Sequence, residues 1–357
     1  MIYLDCASTT RPDPSAIEAM ARVGFGNPSS LHAAGRAARR AIDDARECAA
    51  AALGFDAREI TFTSGATEAD NLAVLGLARG RHAVVSAVEH AAVLEPARRF
   101  CDVSIAPVDG EGRVIVEALV ELLRPDTALI SVMTANNEVG TIQPIDRIVA
   151  AARGVPVHTD AAQAFGKVPL PRADLVTISG HKINGPKGVG VLAARRGLKI
   201  EPMLSGGGHE FERRAGTENV AGIAGLAAAL ALSPADTAAR RDRLEARLLE
   251  TPGTRVNGGG ARLPTIVNVS FDGVDGEALV IALDQAGVCA ATGSACASGS
   301  SEPSHVLAAM GFDRRRISGS VRLSLDRFTT DADIDGAASA IGAAVARLRS
   351  ISPVWHE

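Results

Sequence analysis

The sequence predicts an α/β protein: a mostly parallel sheet covered by helices on both faces, followed by a smaller α+β domain. Three observations lead there. At 357 residues the chain is too long for one ordinary core. Short apolar runs alternate with helical segments over the first two thirds, the pattern of parallel strands joined by crossover helices. That alternation stops after the region of Pro234 and Pro252. A large domain is therefore expected over residues 13–250, and a small one from residues 1–12 and 251–357.

Residues 36–53 are alanine-rich with charges on one side, as an amphipathic helix requires. Residues 59–63 follow as a strand, Ser64-Gly65-Ala66-Thr67 as a loop and residues 68–78 as a helix. Further strands are expected at 83–86, 128–132, 155–159, 175–179 and 188–193, with helices at 91–100, 114–123 and 145–152. Beyond the prolines, 265–271 and 320–325 have strand character. Residues 276–286, 303–310 and 331–349 have helix character. The chain has no internal repeat and no low-complexity linker.

Composition excludes several function classes. With 46% hydrophobic and 22% charged residues the chain reads as a soluble globular protein. A formal charge of −4 gives no electrostatic case for nucleic acid or an anionic membrane as partner. The longest apolar stretch, residues 220–232, is too short for a membrane span and is broken by glycines. The start, Met1-Ile2-Tyr3-Leu4-Asp5, has neither a basic segment nor an apolar signal core. Five cysteines (Cys6, Cys48, Cys101, Cys289, Cys296) are odd in number, scattered and without a C-x-x-C pair. A reduced, cytoplasmic setting is expected.

The chemistry concentrates in two segments. Ser179-Gly180-His181-Lys182-Ile183-Asn184-Gly185-Pro186-Lys187-Gly188 sets a lysine beside hydroxyl and imidazole donors. About twenty residues earlier, His158-Thr159-Asp160-Ala161-Ala162-Gln163 ends an apolar run in a carboxylate. A pyridoxal phosphate site needs these parts: an amine for a Schiff base, an acid to keep the pyridine nitrogen protonated, and donors for the phosphate. Downstream, Gly293-Ser294-Ala295-Cys296-Ala297-Ser298 adds a thiol among small residues.

Each signal has a plainer reading. A Ser-Gly-x-Thr loop is more often a helix cap, here Thr67 with Asp70, than a phosphate cradle. Ser179 and His181 improve the odds, because open parallel sheets bind ligands where strand ends converge. A lysine in a Gly/Pro-rich loop is usually only solvated; Lys182 is favoured over Lys187 and Lys167 because it directly follows a strand, where an amine is desolvated. Asp160 alone is as readily a strand-end cap. His90 either starts a helix or stacks on a ring and moves protons.

In order, the motifs resemble those of cysteine desulfurases of the NifS/IscS type, in the class V aminotransferase group of pyridoxal phosphate enzymes. The resemblance runs through Tyr3-Leu4-Asp5 with Thr9-Thr10, which would lie near the site, Gly26-Asn27-Pro28-Ser29-Ser30-Leu31-His32, Gly65-Ala66-Thr67-Glu68-Ala69, Glu89-His90 and Asn136-Asn137-Glu138-Val139-Gly140-Thr141. It continues through the Asp160 and Lys182 segments, Arg214-Ala215-Gly216-Thr217-Glu218-Asn219 and Gly293-Ser294-Ala295-Cys296. It implies the fold type I architecture of pyridoxal phosphate-dependent transferases, with a seven-stranded, mostly parallel sheet.

Residue by residue, the resemblance implies that Lys182 carries the cofactor and later moves the substrate Cα proton. Asp160 pairs with the pyridine nitrogen, Gln163 with the ring hydroxyl, and His90 stacks on the ring. Ala66, Thr67, Ser179 and His181 hold the phosphate. Thr217 reaches the phosphate of a second subunit, so a homodimer with composite sites is implied. Asn136 lies at the cofactor and, with Arg322, holds the substrate carboxylate, for which a guanidinium fork is suited; on its own Arg322 reads as a strand-surface arginine.

Cys296 selects the reaction: its thiolate takes the sulfur of L-cysteine, and L-alanine leaves. The persulfide then serves an acceptor protein, an iron–sulfur scaffold or another carrier. No metal site is expected, apart from contact of Cys296 with an iron–sulfur cluster during transfer. Cys48, Cys101 and Cys289 read as packing residues. A selenocysteine lyase and a class V aminotransferase are the alternative activities. One departure is Asp326, which stands where such enzymes often have glycine.

Overall fold

The computed structural model describes residues 1–293, 303–352 and 355. Among them, seven strands form the central sheet, in the order Ile60–Thr63, Gly190–Ala194, Leu175–Ser179, Val157–Asp160, Thr127–Ser131, His82–Ser86 and Asp102–Ala106. The last five run parallel, and Gly190–Ala194 is antiparallel to both neighbours. Its direction follows from its connection, because the loop after Ser179 returns the chain directly, without a crossover helix. All strands but the Asp102–Ala106 edge are buried throughout, as a sheet covered on both faces demands.

The helices obey the same logic. Helix Ala33–Leu53 buries Ala38, Ile42, Ala45, Ala49 and Leu53, one stripe at helical spacing. It begins three residues before the expected position because His32 accepts a hydrogen bond from the Gly35 amide, and it stops at Gly54 with φ +71°. Four of the described helices escaped prediction: Pro14–Arg22, Val220–Leu230, Ala238–Leu249 and Arg314–Ser318. The apolar stretch after residue 220 is a buried helix packed against Ala33–Leu53 and Pro14–Arg22.

A second core lies around Ile266–Phe271, paired antiparallel with Thr254–Val256 on one side and Ser320–Ser324 on the other. Leu4, Leu279, Ile334 and Val345 fill it. The helix Ala238–Leu249 contributes Leu244 and Leu248 to this core, so its side chains pack beyond the boundary expected near residue 250. Strand Ile2–Tyr3 pairs in parallel with Val288–Cys289. The chain then crosses to the central sheet, where Thr10 donates its amide to the His181 carbonyl. Residues 5–10 thus form a strap between the two cores. None of the described helices is long and apolar enough to cross a membrane.

Candidate active site

The strap closes over a cavity of about 530 Å³ at the carboxyl ends of the parallel strands. Register explains why distant segments meet there. Gly190 pairs with Thr63 on one side and Ser179 on the other, so the loops after both strands leave from one row. Gly190 must be glycine, since an added Cβ would stand 2.7 Å from Gly65 Cα and from the Ile178 carbonyl oxygen.

Lys182 ends the single turn Gly180–Lys182 that follows Leu175–Ser179. Its Nζ donates to the carbonyls of Ala7 and Ser8 at 2.5 and 2.8 Å, so the strap holds the amine over the cavity. Gln163 braces the strap from below, donating to Ala7 O at 2.8 Å and accepting from Lys167 Nζ at 3.3 Å. Burial pushes the Lys167 ammonium down to about 8, and the charge of Lys182 acts in the same direction.

Asp160 ends strand Val157–Asp160 and is 7% exposed, with Oδ1 accepting the Ala162 amide at 2.8 Å. Burial raises its pKa, against the pull of that amide, His90 and Lys182. Behind it lies Asp70, fully buried and 3.6 Å from His158 Nε2. This contact is not an ion pair: burial holds His158 neutral, down to about 3, and drives the Asp70 carboxyl well up, with the charge of Asp160 adding.

His90 starts a helix, as the plainer reading had it, and also stands at the cavity. It caps helix Ala91–Phe100, its Nδ1 accepting the Ala92 amide at 3.1 Å, and its ring lines the cavity. Ala66 and Thr67 open helix Ala66–Ala78, whose cap is Gly65 at φ +150°, a conformation reserved for glycine. No side chain caps this end, and Ala66 and Thr67 line the cavity, which leaves the first amides available to an anion there. The alternative of a Thr67–Asp70 cap is overturned, since Asp70 points into the core instead. Ser179 and His181 complete this wall. Burial, with Lys182 and Lys187 nearby, brings His181 down to about 4 and so keeps it neutral.

Arg322 also lines the cavity, at 1% exposure. Its Nη2 donates to Asp5 Oδ1 and Ser8 Oγ at 2.8 and 2.7 Å, its Nη1 to the Asn137 carbonyl at 3.0 Å, and its buried Nε has no partner. It is no strand-surface arginine.

Two expected residues stand elsewhere. Asn136 is fully buried but does not line the cavity. It donates to Val88 O and accepts the Glu138 and Val139 amides, so its side chain is consumed in its own turn, and Asn137 forms the wall. Thr217, expected at a second subunit's phosphate, is exposed and outside this wall. Cys296 lies outside the described residues. Cys6 is a buried residue of the strap itself, its thiol driven far up by burial. Asp326 closes its turn by accepting the Phe328 amide and receives Asn184 Nδ2 at 3.2 Å.

Sequence reasoning missed Ser8, Met133 and Asn137 in the wall, and the buried acids Asp70 and Glu89. Asp70 had a signal, since it stands three and four residues before Ala73 and Val74 on the face the helix buries. Burial pushes Glu89 up to about 8.

The donor set fits pyridoxal phosphate: an amine, a buried carboxyl and an uncapped helix start face one enclosure. The aminotransferase class-V model matches residues 2–336. A cysteine desulfurase IscS from Methanosarcina thermophila is 44% identical, covering 99% of this chain and 94% of that protein. A NifS-like protein from Rickettsia africae has a solved structure with TM-score 0.90 and 33% identity, covering 96% of this chain and 99% of that one. SspA, solved in complex with cysteine, gives TM-score 0.83 and 33% identity over 92% of this chain and 100% of its own. With matches spanning almost its entire length, the chain belongs to the class V aminotransferase family of pyridoxal phosphate enzymes, among its IscS- and NifS-like cysteine desulfurases.

Proposed function

We propose that this protein is a cysteine desulfurase that moves sulfur from L-cysteine to Cys296 and then to an acceptor protein, for iron–sulfur cluster assembly or another thiolation. The observation that carries this reading is the single enclosure holding Lys182, Asp160 and the Ala66–Thr67 helix start, in a chain 44% identical to a desulfurase along its length.

Pyridoxal phosphate, when bound, supplies an electron sink for the bonds at the substrate Cα and Cβ. Lys182 tethers it, and its amine then carries the Cα proton; the Ala7 and Ser8 carbonyls hold that amine on the strap side. Asp160 keeps the proton on the ring nitrogen, because a cation alongside offsets the burial that raises its own pKa. Gln163 meets the ring hydroxyl. His90 would stack on the ring, with its Nδ1 already committed to the helix cap. Ala66, Thr67, Ser179 and neutral His181 hold the phosphate, and Thr217 serves the phosphate of a second subunit in a homodimer. Arg322 binds the substrate carboxylate, and Asn136 fixes the turn that presents Asn137.

In the transfer step the Cys296 thiolate bonds to the substrate sulfur as the Cβ–S bond breaks. The electron pair stays with Cβ, which gains a proton. L-Cysteine and thiol become L-alanine and persulfide, with no outside oxidant.

The test incubates holoprotein with L-cysteine and a reductant, following cofactor absorbance, sulfide and alanine. Equal sulfide and alanine are expected, both lost in Cys296→Ala and Lys182→Ala. Undiminished desulfuration without the thiol removes Cys296 from the reaction.

A further inference from the structure

Glu138 is 2% exposed, and among the described residues no Lys, Arg or His forms an ion pair with it. Burying a carboxylate without a cation is costly, so its contacts bear on what it does. Its own turn does not need the carboxylate. Asn136 Oδ1 takes the Glu138 and Val139 amides at 2.8 and 2.9 Å, and the Gly140 amide donates to Asn136 O.

The carboxylate instead touches both chain ends that flank residues 294–302. On the far side, Ser304 Oγ donates to Glu138 Oε2 at 2.6 Å while accepting the Leu307 amide as the cap of helix His305–Ala309. On the near side, Gly293 is buried against the same oxygen. A Cβ added there would stand 3.1 Å from Oε2 and 3.6 Å from Cδ, so glycine is the residue that fits. Each end has a second anchor. Ala291 and Arg322 exchange backbone hydrogen bonds of 3.2 and 2.6 Å. His305 Nε2 meets the Glu89 carbonyl at 2.9 Å. Glu138 is itself held to the second core, its carbonyl accepting from Asn268 Nδ2 at 3.0 Å, and it adjoins Asn137 in the cavity wall.

We infer that Glu138 is a positioning residue for Cys296: one carboxylate clasps the two ends of the segment that carries the thiol and fixes both next to Asn137 of the cavity wall. This rests on the proposed role of Cys296 as sulfur acceptor. Cys296 is three residues beyond Gly293, and three residues of chain reach at most about 11 Å. The placement of that end therefore limits where the sulfur arrives. A displacement of about 1 Å from a reactive geometry costs on the order of 100-fold in rate.

The test compares two substrates. L-Cysteine needs both Lys182 and the thiol to yield alanine. β-Chloro-L-alanine needs Lys182 but loses chloride unaided by any thiol. In Glu138→Ala holoprotein, single-turnover alanine formation from L-cysteine is expected to fall about 10- to 100-fold, with chloride release unchanged. Glu138→Gln, which keeps an oxygen to accept Ser304 Oγ, recovers most of the rate, and Ser304→Ala falls between. Loss of both activities together, or of neither, overturns the clasp. If Glu138→Ala does not fold, Ser304→Ala decides, and a wild-type ratio of the two activities there overturns it. Failure of the underlying reading looks different, because Cys296→Ala would then still form alanine from L-cysteine.

Discussion

Replacing Glu89 by glutamine is expected to stabilise the protein in alkaline solution and to leave it unchanged in acid. The Glu89 side chain is fully buried; Oε1 accepts Ser86 Oγ at 2.5 Å and the Met133 amide at 2.7 Å, while Oε2 has no partner. Burial pushes the carboxyl up to about 8, the Asp160 charge adding and the two hydrogen bonds opposing. In the unfolded chain the same group releases its proton near pH 4.3, at roughly the ordinary value. Between those limits the folded state holds one proton more than the unfolded state, so this group lowers stability as pH rises, by about 1.4 kcal/mol per unit. Below the unfolded value nothing is lost; above about 8 the full cost is reached, about 5 kcal/mol at most. Glutamine reproduces the protonated acid, keeping the Oε1 acceptor without a titrating charge. Urea unfolding of the two holoproteins across pH 5 to 9 checks this. The free-energy curves should lie about 1 kcal/mol apart at pH 5 and diverge further by about 1.4 kcal/mol per unit up to about pH 8. Parallel curves would show that Glu89 ionises normally and that its burial has no electrostatic consequence.

Three further outcomes are expected. Gly65→Ala places a Cβ where φ is +150°, costing about 1–3 kcal/mol in backbone strain, and should weaken retention of pyridoxal phosphate on dialysis; unaltered retention sinks the anion-site assignment. Arg46 and Glu210 form a bidentate pair at 2.7 and 2.8 Å, 6% and 1% exposed. Arg46→Ala strands that buried carboxylate and should cost about 3–5 kcal/mol, whereas Arg46→Ala with Glu210→Ala should cost less than the two single changes summed. Additive losses in the unfolding midpoints would count against this. Cys6 should stay unlabelled by iodoacetamide at pH 8 until the protein unfolds, because burial keeps its thiol protonated; mass spectrometry showing earlier labelling refutes it.

The parts of the site that were legible in the sequence are those fixed by local grammar. Asp160 ends one buried strand and Lys182 ends the turn that follows another, and polar residues at such strand ends lie at the sheet's carboxyl edge. The edge strand Asp102–Ala106 was missed because it is short and only its last residue, Ala106, is fully buried, so no continuous apolar run marks it. Asn136 and Asn137 are identical neighbours, and only the folded turn decides which is spent on amides and which meets the cavity. The strap was legible only through the resemblance, in Tyr3-Leu4-Asp5 and Thr9-Thr10: its contacts with Lys182 span about 175 residues of chain, a separation no local pattern records.

That long-range contact also explains why the N-terminus and the second core matter to chemistry at the first. Strand Ile2–Tyr3 is seated on Val288–Cys289, the Ala7 amide donates to Ser324 Oγ, and Ser8 Oγ accepts from Arg322 Nη2. The carbonyls that hold the Lys182 amine are therefore positioned by the same strand that presents Arg322. A shift of Ser320–Ser324 relative to the central sheet would move the proposed carboxylate anchor and the lysine's two acceptors together. The distance between proton carrier and bound substrate is thus set by one packed unit and not by two independent loops. For a proton transfer, where reach is limited to hydrogen-bond distance, that common support is what lets a site built from both cores stay in register.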